Sequence, residues 1–154
     1  MWELIEPVAK MLVAFFLALP VAINRERYSQ IMGLRTFPLV SLGACAYVLV
    51  AQGIVDPGTP DSTMRVVQGV LTGIGFLGGG AILKGDSRVR GTATAASIWG
   101  LGAMGLAVAF EQWLIAIALS LLMWLTLSVL FVVKEEVDHD YEREKKPAEQ
   151  SSED

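Results

Sequence analysis

Catalysis and ligand binding need particular side chains at particular spacings, and this sequence offers few. The run Gly73-Ile74-Gly75-Phe76-Leu77-Gly78 matches the dinucleotide-binding pattern G-x-G-x-x-G letter for letter. That pattern cradles a pyrophosphate only between a strand and a helix, with an acid about 20 residues further on. Here it lies inside a charge-free apolar run, and the next acid, Asp86, follows Gly78 by only eight residues. The context excludes nucleotide binding. His139 stands between Asp138 and Asp140 in an acidic tail. A lone histidine without a second strong ligand reads as solvated rather than as a metal site. Cys45, the single cysteine, reads as a small apolar filler. No nucleophile–base pair stands out, and no glycine-rich loop ending in Lys-Ser/Thr is present. The chain is expected to be no enzyme and to carry no cofactor or metal.

Two groups of polar residues remain. Gln68 and Thr72 are four apart and share a face of a helix, while Thr92, Thr94 and Ser97 cluster in a later segment. They read as interhelical hydrogen-bonding groups worth about 0.6 kcal/mol each, or as the polar lining of a small pathway. The second group is charged: Arg25, Glu26, Arg27 and Arg35, with Lys84, Asp86, Arg88 and Arg90 from another loop. Either these residues only anchor the edge of a membrane segment, or they form a surface for a protein partner, an anionic lipid or a phosphate-bearing ligand.

The elements that position these residues follow from composition. Of 154 residues, 53% are hydrophobic and 18% charged, with a mean hydropathy of +0.51. A soluble domain carries about 25% charged residues. The last 21 residues hold 13 of the 28 charges, so the body has too little polar surface to face water. This excludes an ordinary soluble enzyme, a disulfide-stapled secreted domain and a basic nucleic-acid binder. Residues 1–133 read as a transmembrane domain embedded in the lipid bilayer, and residues 134–154 as an acidic cytoplasmic tail, helical for a turn or two and then disordered.

Five stretches approach the roughly 20 apolar residues that a spanning helix needs: Pro7–Ile23, Phe37–Val55, Val66–Leu83, Thr92–Phe110 and Gln112–Val133. The fold predicted is therefore all-α, a polytopic bundle of five helices. The last four stretches are free of charge, and Lys10 in the first is expected to snorkel to the headgroups. Pro20 is expected to kink the first helix or end it early. The loops Asn24–Thr36 and Lys84–Gly91, with the tail, hold 10 of the 12 basic residues. The positive-inside rule puts them in the cytoplasm, with the N-terminus outside; Trp2 and Trp113 then fall at outer boundaries. The acidic start, Met1-Trp2-Glu3-Leu4-Ile5-Glu6, reads as a retained helix rather than a signal peptide.

Glycines are expected to knit the bundle. Small residues let helices approach closely where lipid supplies no hydrophobic drive. Gly69, Gly73, Gly75, Gly78, Gly79 and Gly80 in the third stretch, and Gly100, Gly102 and Gly105 in the fourth, predict that these two helices form the tight centre. The same glycines also suit a seam between copies of the chain. The run Gly78-Gly79-Gly80 is either a break exposing carbonyls to an ion or the end of a helix near the cytoplasmic surface. The nearby Lys84 favours the end.

Three blocks together resemble the MgtC/SapB family of bacterial inner-membrane proteins. The first is Arg25-Glu26-Arg27 followed by Gly33-Leu34-Arg35-Thr36, Leu39-Val40 and Gly43-Ala44. The second is Gly73-Ile74-Gly75-Phe76-Leu77-Gly78-Gly79-Gly80, and the third is Gly91-Thr92-Ala93-Thr94-Ala95-Ala96-Ser97-Ile98-Trp99. Where the family pattern has an acid before the first block's arginine, this chain has Asn24. The resemblance is to a short form without the C-terminal ACT-like domain of virulence-type members. It implies a non-enzymatic membrane protein linked to growth in low magnesium or to virulence. Some relatives are implicated in restraining the ATP synthase through membrane contact. The leading expectation is a regulator that binds a membrane partner through its inner loops and packed helices. The alternative is a small, oligomeric Mg2+ or solute permease using Gln68, Thr72, Thr94 and the carbonyls near Gly78–Gly80.

Overall fold

The computed structural model describes residues 2–28, 32–55, 60–84 and 89–129. Among these residues the chain forms α1 (Trp2–Tyr28), α2 (Thr36–Ile54), α3 (Pro60–Gly80), β1 (Leu83–Lys84), β2 (Val89–Arg90) and α4 (Thr92–Ala109). A fifth helix, α5, covers Trp113–Val129. The fold is an all-α bundle, as the apolar runs require. Three segments are long and apolar enough to cross a bilayer: Ile5–Arg27, Thr36–Ile54 and Thr92–Ala109, with mean hydropathies of 1.8, 1.7 and 1.4. The helix α3 is also long, but Asp61, Ser62, Thr63 and Arg65 make its first turns polar. The tail, His139 and the end of the fifth apolar stretch lie outside the described residues.

Helix α1 is longer than its apolar run. It starts before Pro7 and continues past Pro20 to Tyr28, so Pro20 does not end it. A helical proline removes one N–H and crowds the carbonyls of the preceding turn. The Ser120 hydroxyl of α5 donates to one of these, the Leu17 carbonyl, at 2.7 Å. The carbonyl that loses its helical donor is that of Phe16, four residues before Pro20, and the bond to the adjacent Leu17 ties α1 to α5 at this turn. The extra C-terminal turn places Arg25 and Arg27 on the helix, where cations favour the negative end of the dipole, rather than in a loop.

Lys10 does not snorkel. It is buried and bridges Glu6 at 2.6 Å and Glu111 at 2.8 Å. Glu111 belongs to the short turn between α4 and α5. Its φ of 60° is left-handed, a conformation costing a non-glycine residue roughly 1–2 kcal/mol. The turn closes with Gln112 N–H donating to Ala107 C=O and Glu111 N–H to Val108 C=O, the pairing of a Schellman motif. The Lys10 ammonium helps to hold the strained residue there.

The centre of the bundle is α4. It packs against α1, α2 and α3, and through Gly100 against Met123 of α5. A helix apolar all round belongs inside: Ile98, Leu101, Met104 and Val108 are fully buried with Val21, Phe37 and Val48. Its glycines face three ways. A Cβ on Gly100 would collide with Met123, one on Gly102 with Ile74 of α3, and one on Gly105 with the Ser41 carbonyl of α2. At these three positions the absent side chain is what lets α4 approach its neighbours.

Most of the α3 glycines expected at this centre do not reach it. Gly69, Gly73, Gly75, Gly79 and Gly80 have nothing within 4 Å of an added Cβ, and of the α3 glycines only Gly78 touches a neighbour, at Ala95 and Trp99. Composition counts small residues but does not say which way they face. Helix α3 ends at Gly80, where Gly78 and Gly79 carbonyls accept from Ala81 and Ile82 N–H, so the glycine run is a helix end rather than a break. The loop beyond it forms a short antiparallel ribbon, Leu83 opposite Arg90 and Lys84 opposite Val89.

This packing predicts opposite outcomes for two glycines. Gly105→Ala forces α4 away from the α2 backbone and is expected to cost about 3 kcal/mol. Gly69→Ala meets open space and is expected to be neutral or to gain up to about 1 kcal/mol. Thermal unfolding of the detergent-solubilised chain measures both, and equal effects would contradict the packing.

Candidate functional site

The last turn of α1 carries the chemistry. The Arg25 guanidinium reaches across the bundle and donates to Thr94 Oγ1 at 2.9 Å. Thr94 is completely buried in the first turn of α4. Arg25 Nε is buried without a hydrogen-bond partner among the described residues. The carboxylate beside it is engaged elsewhere: Glu26 Oε2 accepts the Leu34 N–H at 2.9 Å and lies over Gly33. A Cβ there would fall 2.5 Å from that oxygen and 2.9 Å from the Glu26 nitrogen, so only glycine lets the loop return so closely. Asn24, one residue earlier, donates to Ser128 Oγ of α5 at 2.9 Å, while its Oδ1 is buried and unpaired among the described residues. An acid at this position would have set a negative charge next to Arg25, and the amide does not.

A second contact joins α3 to α4. Gly78 lies against Ala95 and Trp99, and Gly91, with φ +87°, lies so close to the Ala81 carbonyl that a Cβ would collide with it. Gly91 is required twice over, by its backbone conformation and by this approach. The three sequence blocks, separated by up to 69 residues between Arg25 and Thr94, therefore meet at one end of the bundle.

Other expected residues stand apart. Arg27, Phe76 and Thr92 are exposed, suiting an edge or a lipid-facing surface. Gln68 and Thr72 are also exposed, and the Thr72 hydroxyl donates to the Gln68 carbonyl of its own helix. Ser97 likewise donates to Ala93 C=O. These local bonds do not assemble a polar lining. Arg35 and Thr36 instead flank the mouth of an apolar groove of about 720 Å³ between α2 and α3. Sequence reasoning missed Asn24, Ser128 and Ala81 as parts of the cluster. Only the amide at Asn24 carried a signal, as a departure from the family pattern.

The described charged residues lie toward the two ends of a bundle of apolar helices, which defines a helical membrane protein. The chain belongs to the MgtC family, whose family model matches residues 11–136. It is 35% identical over 130 residues to protein SrpB of Synechococcus elongatus, covering 77% of this chain and 71% of that one. It is 38% identical over 100 residues to slr0014 of Synechocystis, covering 65% and 42% respectively. To protein MgtC of Salmonella typhimurium it is 31% identical over 115 residues, covering 75% and 48%. The chain thus spans less than half of the last two relatives. No solved structure matches it.

The Arg25–Thr94 bond makes a double-mutant cycle decisive. Thr94→Val keeps the shape but leaves the guanidinium without its acceptor, at an expected cost of about 2 kcal/mol. Combined with Arg25→Met, most of that cost should disappear, giving a coupling of about 1 kcal/mol or more in detergent unfolding. Strictly additive costs would show that the two residues are not paired.

Proposed function

We propose that this protein is a multi-pass regulator of the bacterial inner membrane. In this reading its arginine-rich end faces the cytoplasm and binds a carboxylate or other anionic group of a membrane-protein partner, in the low-magnesium adaptation that the family resemblance implies. One observation carries it: the half-buried Arg25 has a neutral hydroxyl as its hydrogen-bond acceptor and its Nε unbonded among the described residues. A buried cation is costly unless it is paired, and an approaching anion would supply the missing charge. The sidedness follows from the positive-inside rule, since Arg25, Arg27, Arg35, Lys84 and Arg90 share that end. A non-enzymatic role suits the cluster, in which no nucleophile stands beside a base.

The permease alternative has less support. Ion relays place carboxylates inside the bundle, whereas Glu6 and Glu111 lie at one end and Glu26 at the other. The carbonyls of Gly78 and Gly79 accept bonds at the end of α3, and Gln68 and Thr72 form no lining.

Crosslinking in native membranes followed by affinity purification tests the proposal. A second membrane protein should be recovered with the wild-type chain and several-fold less with Arg25→Gln, once circular dichroism confirms that the variant is folded. Recovery of the chain alone would overturn it. So would a protein-dependent flux into vesicles holding a magnesium-sensitive dye that Gly79→Leu abolishes.

A further inference from the structure

The groove between α2 and α3 is independent of the Arg25 cluster, and nothing above gives it a task. Its walls are apolar, with Leu39 and Tyr47 on α2 and Val70 and Leu77 on α3. Its depth comes from missing side chains: Gly43, Gly69 and Gly73 each have open space where a Cβ would stand. At one end stands Arg35, exposed and in no salt bridge among the described residues. It opens the first turn of α2, which has no acidic residue and no side-chain cap. The groove is thus apolar along its length and cationic at its mouth.

We propose that this groove holds one acyl chain of an anionic phospholipid, with the headgroup phosphate on Arg35. The dimensions agree. From Arg35 to Tyr47 the groove runs about 18 Å along α2, at 1.5 Å per residue. One leaflet is half of a hydrocarbon core roughly 30 Å thick, about 15 Å. A lipid whose phosphate sits at Arg35 therefore brings its tail to the end of the groove near Tyr47 and Val66. The volume of about 720 Å³ lies within the roughly 300–1,000 Å³ of small-molecule sites. Charge also decides between occupants. Two copies of the chain in one membrane share an orientation, so a two-fold contact through this groove would face Arg35 with Arg35. A lipid phosphate brings the opposite sign and forms a charge-assisted hydrogen bond with arginine. Because any lipid tail can wet an apolar groove, the selectivity resides in the headgroup.

Native mass spectrometry of the full chain in detergent, with added phosphatidylglycerol or phosphatidylcholine, tests this. Phosphatidylglycerol should be retained about tenfold more than phosphatidylcholine, whose choline ammonium cancels the phosphate charge that Arg35 would meet. Arg35→Gln should remove that preference. Gly73→Leu, whose side chain enters open space, should block retention of phosphatidylglycerol without lowering the unfolding temperature. Equal retention of the two lipids would overturn the proposal, as would full retention by Gly73→Leu. Displacement of the lipid by millimolar inorganic phosphate would also overturn it, showing that the headgroup binds without the groove. A Gly73→Leu variant that loses only a dimeric species would assign the groove to a second copy instead.

Discussion

The bundle depends on the direct approach of α4 to the backbone of α2 at Gly105. Lipid tails are as apolar as leucine, so burial in a membrane gives helices little reason to associate. Dense packing must supply that reason, and dispersion falls away steeply with each fraction of an ångström of gap. The absent side chains at Gly100, Gly102 and Gly105 let α4 touch α5, α3 and α2 in turn. Once α4 is central, its first turn is fixed against the last turn of α1. A buried threonine and an arginine 69 residues earlier then meet.

Polar contacts refine this arrangement and lie toward both ends and around the proline. Lys10, Glu6 and Glu111 join the start of α1 to the α4–α5 turn. Asn24 with Ser128, and Arg25 with Thr94, join its other end to α5 and α4. Between them, Ser120 supplies a donor next to Pro20. The Lys10 pairs are partly open to solvent, and such pairs contribute modestly; they select a geometry more than they stabilise it. By contrast α3 meets α4 through Ile74 and Gly78 and keeps its glycine-rich side open. The same residue type closes one helix interface and leaves a groove at another.

Much of the fold was legible because its determinants are local. Apolar runs located the helices, and counting basic residues separated the ends of the bundle. What escaped was longer in range. The run-based limit of α1 stopped at the first charged residues, yet a helix continues wherever its backbone remains bonded, and this placed Arg25 in a loop too early. Lys10 looked like a headgroup anchor because its partner Glu111 is 101 residues away. The strained turn at Glu111 carried no glycine to announce it. The direction of the α3 glycines is a property of the assembled bundle, which a residue count does not contain. The three family blocks come together at one end of the molecule, but their sequence does not give the pairings within it.

That these blocks meet inside one chain is the claim on which the account rests, and a disulfide tests it directly. A Cβ on Gly78 would stand 3.9 Å from Ala95 Cβ, within the roughly 3.5–4.5 Å that a disulfide spans. Cys45 is the only native cysteine, so Gly78→Cys with Ala95→Cys in a Cys45→Ala background can be oxidised in native membranes without competition. The account predicts rapid, nearly complete bonding within a single chain, read as a reducible mobility shift of the monomer. A chain that stays reduced, or that bonds only to a second copy, would contradict it.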